Sequence, residues 1–154
     1  MNNRERYWIK VRGYGSDTTG AYALHPDAEA YLGDALEPND TRAAALALQI
    51  EGPGVATTLI PASDRDWFAI QLSREPDYNA YLSIETLSAM DTIMTLYWGD
   101  EEVANDDDGG EDSNARIVYR PERTGTYYVE VAHYDASELG EYEIVARWIR
   151  AYPD

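Results

Sequence analysis

The sequence predicts an all-β protein, an antiparallel sandwich of short strands. Three observations carry that expectation. The dominant hydrophobic period is two, turn residues punctuate the chain repeatedly, and 13 tyrosines suit pleated surfaces with hydroxyls at the rim.

The chain contains part of itself twice. Residues 7–24 (YWIKVRGYGSDTTGAYAL) and 127–144 (YYVEVAHYDASELGEYEI) align without a gap at an offset of 120 residues. Tyr7, Val11, Tyr14, Gly20 and Tyr22 recur as Tyr127, Val131, Tyr134, Gly140 and Tyr142, and Ile9 and Leu24 are matched by Val129 and Ile144. A fixed period marks a repeated structural unit, here about one small domain long. Residues 1–24 are therefore expected to be the last hairpin of a preceding copy, 25–36 (HPDAEAYLGDAL) an acidic linker, and 37–150 a complete domain. Such a pattern is that of a module from a tandem array. An orphan hairpin at 7–24 is expected to dock on a sheet edge or to pair two molecules as a homodimer.

Within the complete copy, residues 41–49 (TRAAALALQ) follow the cap-like Asn39-Asp40-Thr41 and have helix propensity, but Ala-Leu-Ala-Leu also alternates, so helix and strand stay open. In 66–72, Phe68, Ile70 and Leu72 alternate with Trp67, Ala69 and Gln71. In 78–85, Tyr78, Ala80, Leu82 and Ile84 alternate with Asn79, Tyr81, Ser83 and Glu85. Further strands are expected over 92–98, 115–120 and 140–149, and over 126–133 with Tyr127, Val129 and Val131 on one face. Turn signals at Gly52-Pro53-Gly54, Pro61 to Asp64, Glu75-Pro76-Asp77, Asn105 to Gly110 and Thr124-Gly125 separate them.

Composition narrows the function. The 154 residues carry 12 basic and 29 acidic side chains, a net charge of −17. Such a polyanion repels nucleic acid and anionic membranes, and it attracts divalent cations or stays soluble in high salt. With no cysteine, neither disulfides nor thiol chemistry is available. No apolar run approaches the ~20 residues of a membrane span, and no signal-peptide pattern precedes the first strand pattern. The two histidines are His25 in the linker and His133 in a strand pattern; no Gly-x-Ser-x-Gly or His-Glu-x-x-His motif occurs. The expectation is a non-catalytic domain.

Glu37-Pro38-Asn39-Asp40-Thr41, followed by an Ala/Leu stretch, resembles the opening of bacterial pre-peptidase C-terminal domains, which are related to the collagen-binding domains of bacterial collagenases. The resemblance continues in order through Asp64-Arg65-Asp66-Trp67-Phe68, Asp91 to Tyr97, Asn105 to Gly110 with Ser113 and Arg116 to Tyr119, Thr124 to Val129, and Gly140-Glu141-Tyr142. It covers residues 37–147, and 7–24 is similar to the family's last two strands. It implies a jelly-roll-like β-sandwich of about eight strands, and a non-catalytic accessory domain of a secreted or cell-surface protein, extracellular and flanked by further domains. It also implies calcium near the N-terminal segment.

Calcium takes six to eight hard oxygens. Glu37, Asn39 and Asp40 offer three side chains within four residues, and the family pattern joins them to the region of Asp64 and Asp66. Where some relatives carry further acids this chain has Ala35 and Ser63, and Asp64 or a backbone carbonyl stands in. The plain alternative is a capped turn beside a solvated loop. A second cluster, Asn105, Asp106, Asp107 and Asp108 with Glu111 and Asp112, puts six oxygen-bearing side chains into eight positions, which repel one another without a counter-ion. Its spacing is not that of an EF-hand. A second calcium site here would draw on Asp91; the alternative is a hydrated loop.

Outward aromatics on a sheet suit sugars or extended polypeptides. Tyr128 and Tyr134 belong to that set, with Tyr81 and Tyr97. The leading expectation is a calcium-stabilised spacer whose ion pins the segment around 37–41 and sets the spacing of adjacent domains. The rivals are an adhesion module for collagen, polysaccharide or another matrix polymer, and a structural spacer whose acidity serves hydration in high salt.

Overall fold

A computed structural model of the chain describes residues 10–12, 20–21, 36–135 and 138–150. The chain divides into two units, Met1–Tyr31 and Leu32–Asp154, and every described strand belongs to the second. The expected hairpin 7–24 and linker 25–36, with the docking and dimer contacts drawn from them, fall largely outside the described residues.

Nine strands are described: β1 (Leu46–Ala47), β2 (Val55–Leu59), β3 (Arg65–Leu72), β4 (Ala80–Ser88), β5 (Thr92–Trp98), β6 (Glu101–Asp106), β7 (Arg116–Tyr119), β8 (Gly125–His133) and β9 (Gly140–Arg150). They form a five-stranded sheet in the order β1-β3-β8-β5-β6 and a four-stranded sheet in the order β2-β9-β4-β7. The two sheets make the expected sandwich. From β2 onward the chain crosses between sheets at every connection except β5 to β6, the alternation of a jelly roll. All pairings are antiparallel except that of β1 with β3.

Alternation places the core. Phe68 and Ile70 of β3, Leu82 and Ile84 of β4, Met94 and Leu96 of β5, Val129 and Val131 of β8 and Ile144 of β9 are fully buried. These are the inward positions of strands whose other face carries polar or aromatic residues, as a half-solvated sheet requires. Tyr127 is buried too, and it keeps its hydroxyl satisfied by donating to the Arg123 carbonyl at 2.9 Å. At one end Thr86 Oγ1 and Thr92 Oγ1 lie 2.6 Å apart, and the Ala115 amide donates to Thr86 Oγ1 at 3.1 Å. That network ties β4 and β5 to the entrance of β7.

Three strands depart from the expectation. β2 reads VATTL and β6 reads EEVAND, and neither shows the apolar alternation that marks the others. β6 arises because the two-residue loop Gly99-Asp100, with Gly99 at φ 58°, folds it back on β5. Asn105 and Asp106, expected in a turn, therefore end β6, paired with Thr95 and Met94. The ambiguous segment 41–49 becomes a 3₁₀ turn, Arg42–Ala44, then β1. β1 forms because β3 has an open edge: Leu46 and Ala47 pair with Phe68 and Ala69, and the Leu48 amide donates to the Ala69 carbonyl at 2.9 Å. No described helix is long and apolar enough to cross a membrane.

Replacing Phe68 by Ala should lower unfolding free energy by about 3–5 kcal/mol through the cavity it leaves. Val118→Ala, on the exposed face of β7, should cost less than about 1 kcal/mol. Urea denaturation followed by circular dichroism checks both.

Candidate metal centre

The segment before β1 is held on the same open edge of β3. The Trp67 amide donates to the Asn39 carbonyl at 2.9 Å, so Asn39 extends the strand pairing toward the start of β3. Asn39 is fully buried, and its Nδ2 donates to Asp66 Oδ1 at 2.9 Å. Asp66, also fully buried, accepts through Oδ2 from the hydroxyl of Tyr142 on β9. One carboxyl group thus connects the N-terminal segment to both sheets. The Asn39 amide in turn donates to Glu37 Oε2 at 3.0 Å, which folds the Glu37 side chain back over the segment.

Asp64 comes from the turn between β2 and β3. Its amide donates to the Pro61 carbonyl at 2.9 Å and its Oδ2 accepts from the Ile60 amide at 2.6 Å, which closes the turn on itself. The same turn delivers the carboxylate to the N-terminal segment. Glu37, Asp40 and Asp64 each offer an oxygen within 4.8 Å of the others, the one group of three such side chains found among the described residues. Glu37 is half-buried, Asp40 exposed and Asp64 buried, so the cluster opens to solvent on one side.

Two features fit a hard cation. Asn39 Oδ1 and Asp64 Oδ1 are buried with no hydrogen-bond partner, a costly state for polar atoms unless something ligates them. Burial, the charge of Glu37 and the adjacent Asp40 also push the Asp64 carboxyl up from 3.8 to about 6, against the opposing bond from the Ile60 amide. An ion there would relieve that repulsion. The donor set is all oxygen, as calcium requires.

Of the five expected ligands, Glu37, Asp40 and Asp64 converge, and Asn39 adds a neutral oxygen that lacks a partner. Asp66 plays a different part, since its carboxyl group holds Asn39 and Tyr142. In the sequence Tyr142 stands out as a repeated residue and within the Gly140-Glu141-Tyr142 motif. Lying 76 positions from Asp66, it carries no local signal of that bond.

The second acidic cluster does not converge in the same way. Asp106 Oδ2 accepts from the amides of Gly109 at 2.7 Å and Arg116 at 2.8 Å, and so shapes the β6–β7 connection. Asn105 Nδ2 donates to Glu102 at 2.6 Å, and Asp112 occupies a turn at φ 56°. Asp91, expected to join this cluster, has its Oδ1 buried without a hydrogen-bond partner. Burial, followed by the charges of Asp108, Glu138, Asp107 and Asp135, raises its carboxyl above the ordinary value.

The expected aromatic set divides. Tyr97 and Tyr128 are paired neighbours on β5 and β8, and both point outward from the five-stranded sheet. Trp67 joins them, its ring centroid 5.4 Å from that of Tyr97. Tyr134 lies just beyond β8 and is exposed, while Tyr81 belongs to β4 in the other sheet. Arg42, a residue with no distinguishing signal in the sequence, covers Trp67, Tyr97 and Tyr128.

Tyr142→Phe should cost about 1–3 kcal/mol, since it leaves a buried carboxyl oxygen short of a donor; urea unfolding measures it. Asp64 gives a pH signature in metal-free protein. Its folded-state pKa is raised, so the fold favours the protonated acid, and stability falls as pH rises from about 4 through about 6. Asp64→Asn should remove that component. Unfolding midpoints of wild type and variant between about pH 4 and 7 test it: wild type should lose stability relative to the variant, and a constant difference contradicts the assignment.

No protein-family model matches the sequence, and no curated protein matches it. Solved structures do. The pre-peptidase C-terminal domain of a collagenase from Bacillus anthracis aligns with 66% of this chain and 93% of its own, at TM-score 0.52 and 17% identity. PliG from Aeromonas hydrophila, a periplasmic inhibitor of g-type lysozyme, aligns with 68% of this chain and 97% of its own, at TM-score 0.45 and 10% identity. The described sandwich accordingly has a fold like that of a pre-peptidase C-terminal domain, as the ordered motifs implied.

Proposed function

We propose that this chain is a non-catalytic accessory module of a secreted or cell-surface multidomain protein, stabilised by calcium at Glu37, Asp40 and Asp64. The observation that carries this reading is the convergence of three carboxylates, among them the buried, partnerless Asp64 Oδ1, with Asn39 between Glu37 and Asp40 in sequence and its Oδ1 also buried without a partner. Glu37 and Asp40 belong to the segment entering the domain, and Asp64 belongs to the sandwich. An ion shared by them neutralises their mutual repulsion and ties the incoming chain to the β2–β3 turn. The segment's bonds to Trp67 and Asp66 already orient it. The ion's contribution is to hold the exposed portion, Glu37 and Asp40, and so to set the direction in which a preceding domain leaves.

Adhesion to a matrix polymer is the second reading. In its favour stands the cluster of Trp67, Tyr97 and Tyr128 on one sheet face. Against a bare platform stands Arg42, which lies over all three rings.

Calorimetric titration of metal-free protein tests the first reading. Calcium should bind saturably and raise the melting temperature, with about 2.7 kcal/mol of stabilisation at a hundredfold excess over Kd. Magnesium, which demands a tighter octahedron, should bind more weakly. Asp40→Asn should weaken calcium binding at least tenfold without unfolding the domain. A melting temperature that responds equally to sodium chloride and calcium would instead favour the spacer whose acidity serves hydration.

A further inference from the structure

The outer face of the five-stranded sheet carries a site for a guanidinium group. Its floor is aromatic: Trp67 and Tyr97 are stacked at 29°, and Tyr128 pairs across the strands with Tyr97. Its rim is the β5–β6 loop, whose Gly99 carbonyl and Asp100 carboxylate point to the same place. The chain's own Arg42 fills it. The guanidinium carbon lies 4.9, 4.7 and 5.5 Å from the ring centroids of Trp67, Tyr97 and Tyr128, and one terminal nitrogen donates to Gly99 O and to Asp100 Oδ1. Three π faces attract a cation of any kind. The carbonyl and carboxylate on the rim add directional acceptors that suit the planar fork of arginine better than the point charge of lysine.

Arg42 is a partly exposed occupant. It belongs to a three-residue 3₁₀ turn with no buried residue and no side-chain cap. Its side chain is 28% exposed, and its carboxylate partner Asp100 is fully exposed. We infer that this site takes in trans an arginine side chain from a basic segment of a partner polypeptide, which displaces Arg42. The net charge of −17 draws such a segment toward the domain. Arg42 acts as a tethered competitor, present at an effective concentration on the order of millimolar, and sets the threshold a partner must exceed. The assignment rests on the rings and the rim, and does not require an ion at Glu37, Asp40 and Asp64.

Nuclear magnetic resonance titration tests it, with a capped glycine-arginine-glycine peptide as probe and glycine-lysine-glycine as control, in calcium and in chelator. In R42A the Trp67 indole and the Gly99 and Asp100 amides should shift saturably with the arginine peptide. The lysine peptide and the wild-type protein should each bind at least fivefold more weakly, and Trp67→Ala in the R42A background should abolish the response. Equal shifts from both peptides, shifts spread over the acidic surface, or equal binding by wild type and R42A would overturn it. If R42A does not fold, R42K serves: its ammonium lacks the fork, so the arginine peptide should bind it more tightly than wild type, and no difference overturns the assignment.

Discussion

The buried carboxyl group of Asp66 is the constraint on which the rest of this arrangement depends. A polar group with no exposure is tolerated only when its bonds are made. Its two oxygens are met from opposite directions, by Asn39 on the entering segment and by Tyr142 on the facing sheet. Those partners lie 27 and 76 residues away in sequence, so the contact joins three parts of the chain that local structure would leave independent. Because Asn39 gives its amide nitrogen to Asp66, its amide oxygen is left without a partner in the interior. The bond to Asp66 thus fixes Asn39, the residue between Glu37 and Asp40, against the sandwich.

Acid density and acid geometry separate sharply here. The run from Asn105 to Asp112 is the densest acidic stretch, yet its members are drawn into separate bonds: Asp106 to two backbone amides, Asn105 to Glu102. Glu37, Asp40 and Asp64 are sparser in sequence, and they meet because a strand-edge bond and a closed turn carry them together. A backbone amide is a strong competitor for a carboxylate in a tight loop. Glu37 and Asp64 also accept backbone amides, from Asn39 and Ile60, yet each does so through one oxygen, and Asp64 Oδ1 stays buried without a partner.

The strands legible in the sequence are those whose inward residues are large and apolar: β3, β4, β5, β8 and β9, with β7 found from its position. β2 and β6 are not legible, because Thr57 substitutes for an aliphatic inward and because the β6 residues Glu101 and Glu102 are exposed. β1 is unreadable in principle, since two residues pair there only because β3 offers an edge. At the candidate site, the participation of Glu37, Asp40 and Asp64 is legible from the ordered motifs. The separate role of Asp66 is not, since nothing near it in sequence specifies a donor on β9. Tyr97 and Tyr128 are legible as outward residues by alternation. Their cover is not, because Arg42 opens a short 3₁₀ turn and meets rings that lie 25 to 86 positions away in sequence.

Asp40 and Arg42 stand two residues apart, within about 7 Å of chain, and they serve opposite charges on opposite sides of one strand. Asp40 meets Glu37 and Asp64 at the turn that opens β3, whereas Arg42 lies on the outward aromatic face of the same sheet. Between them Thr41 is extended, with φ −138° and ψ 152°, and makes no side-chain capping bond. So short a connection has little slack. The backbones of the two residues are fixed relative to each other, while the arginine side chain moves on its own torsions. The segment from Glu37 to Arg42 is fixed at Asn39 by the Trp67 amide, with an anionic cluster on one side and a cation on aromatic rings on the other. Both groups are placed by a backbone that the β3 edge holds at Asn39, so one strand edge positions an anionic cluster and a cation on two sides of the sheet.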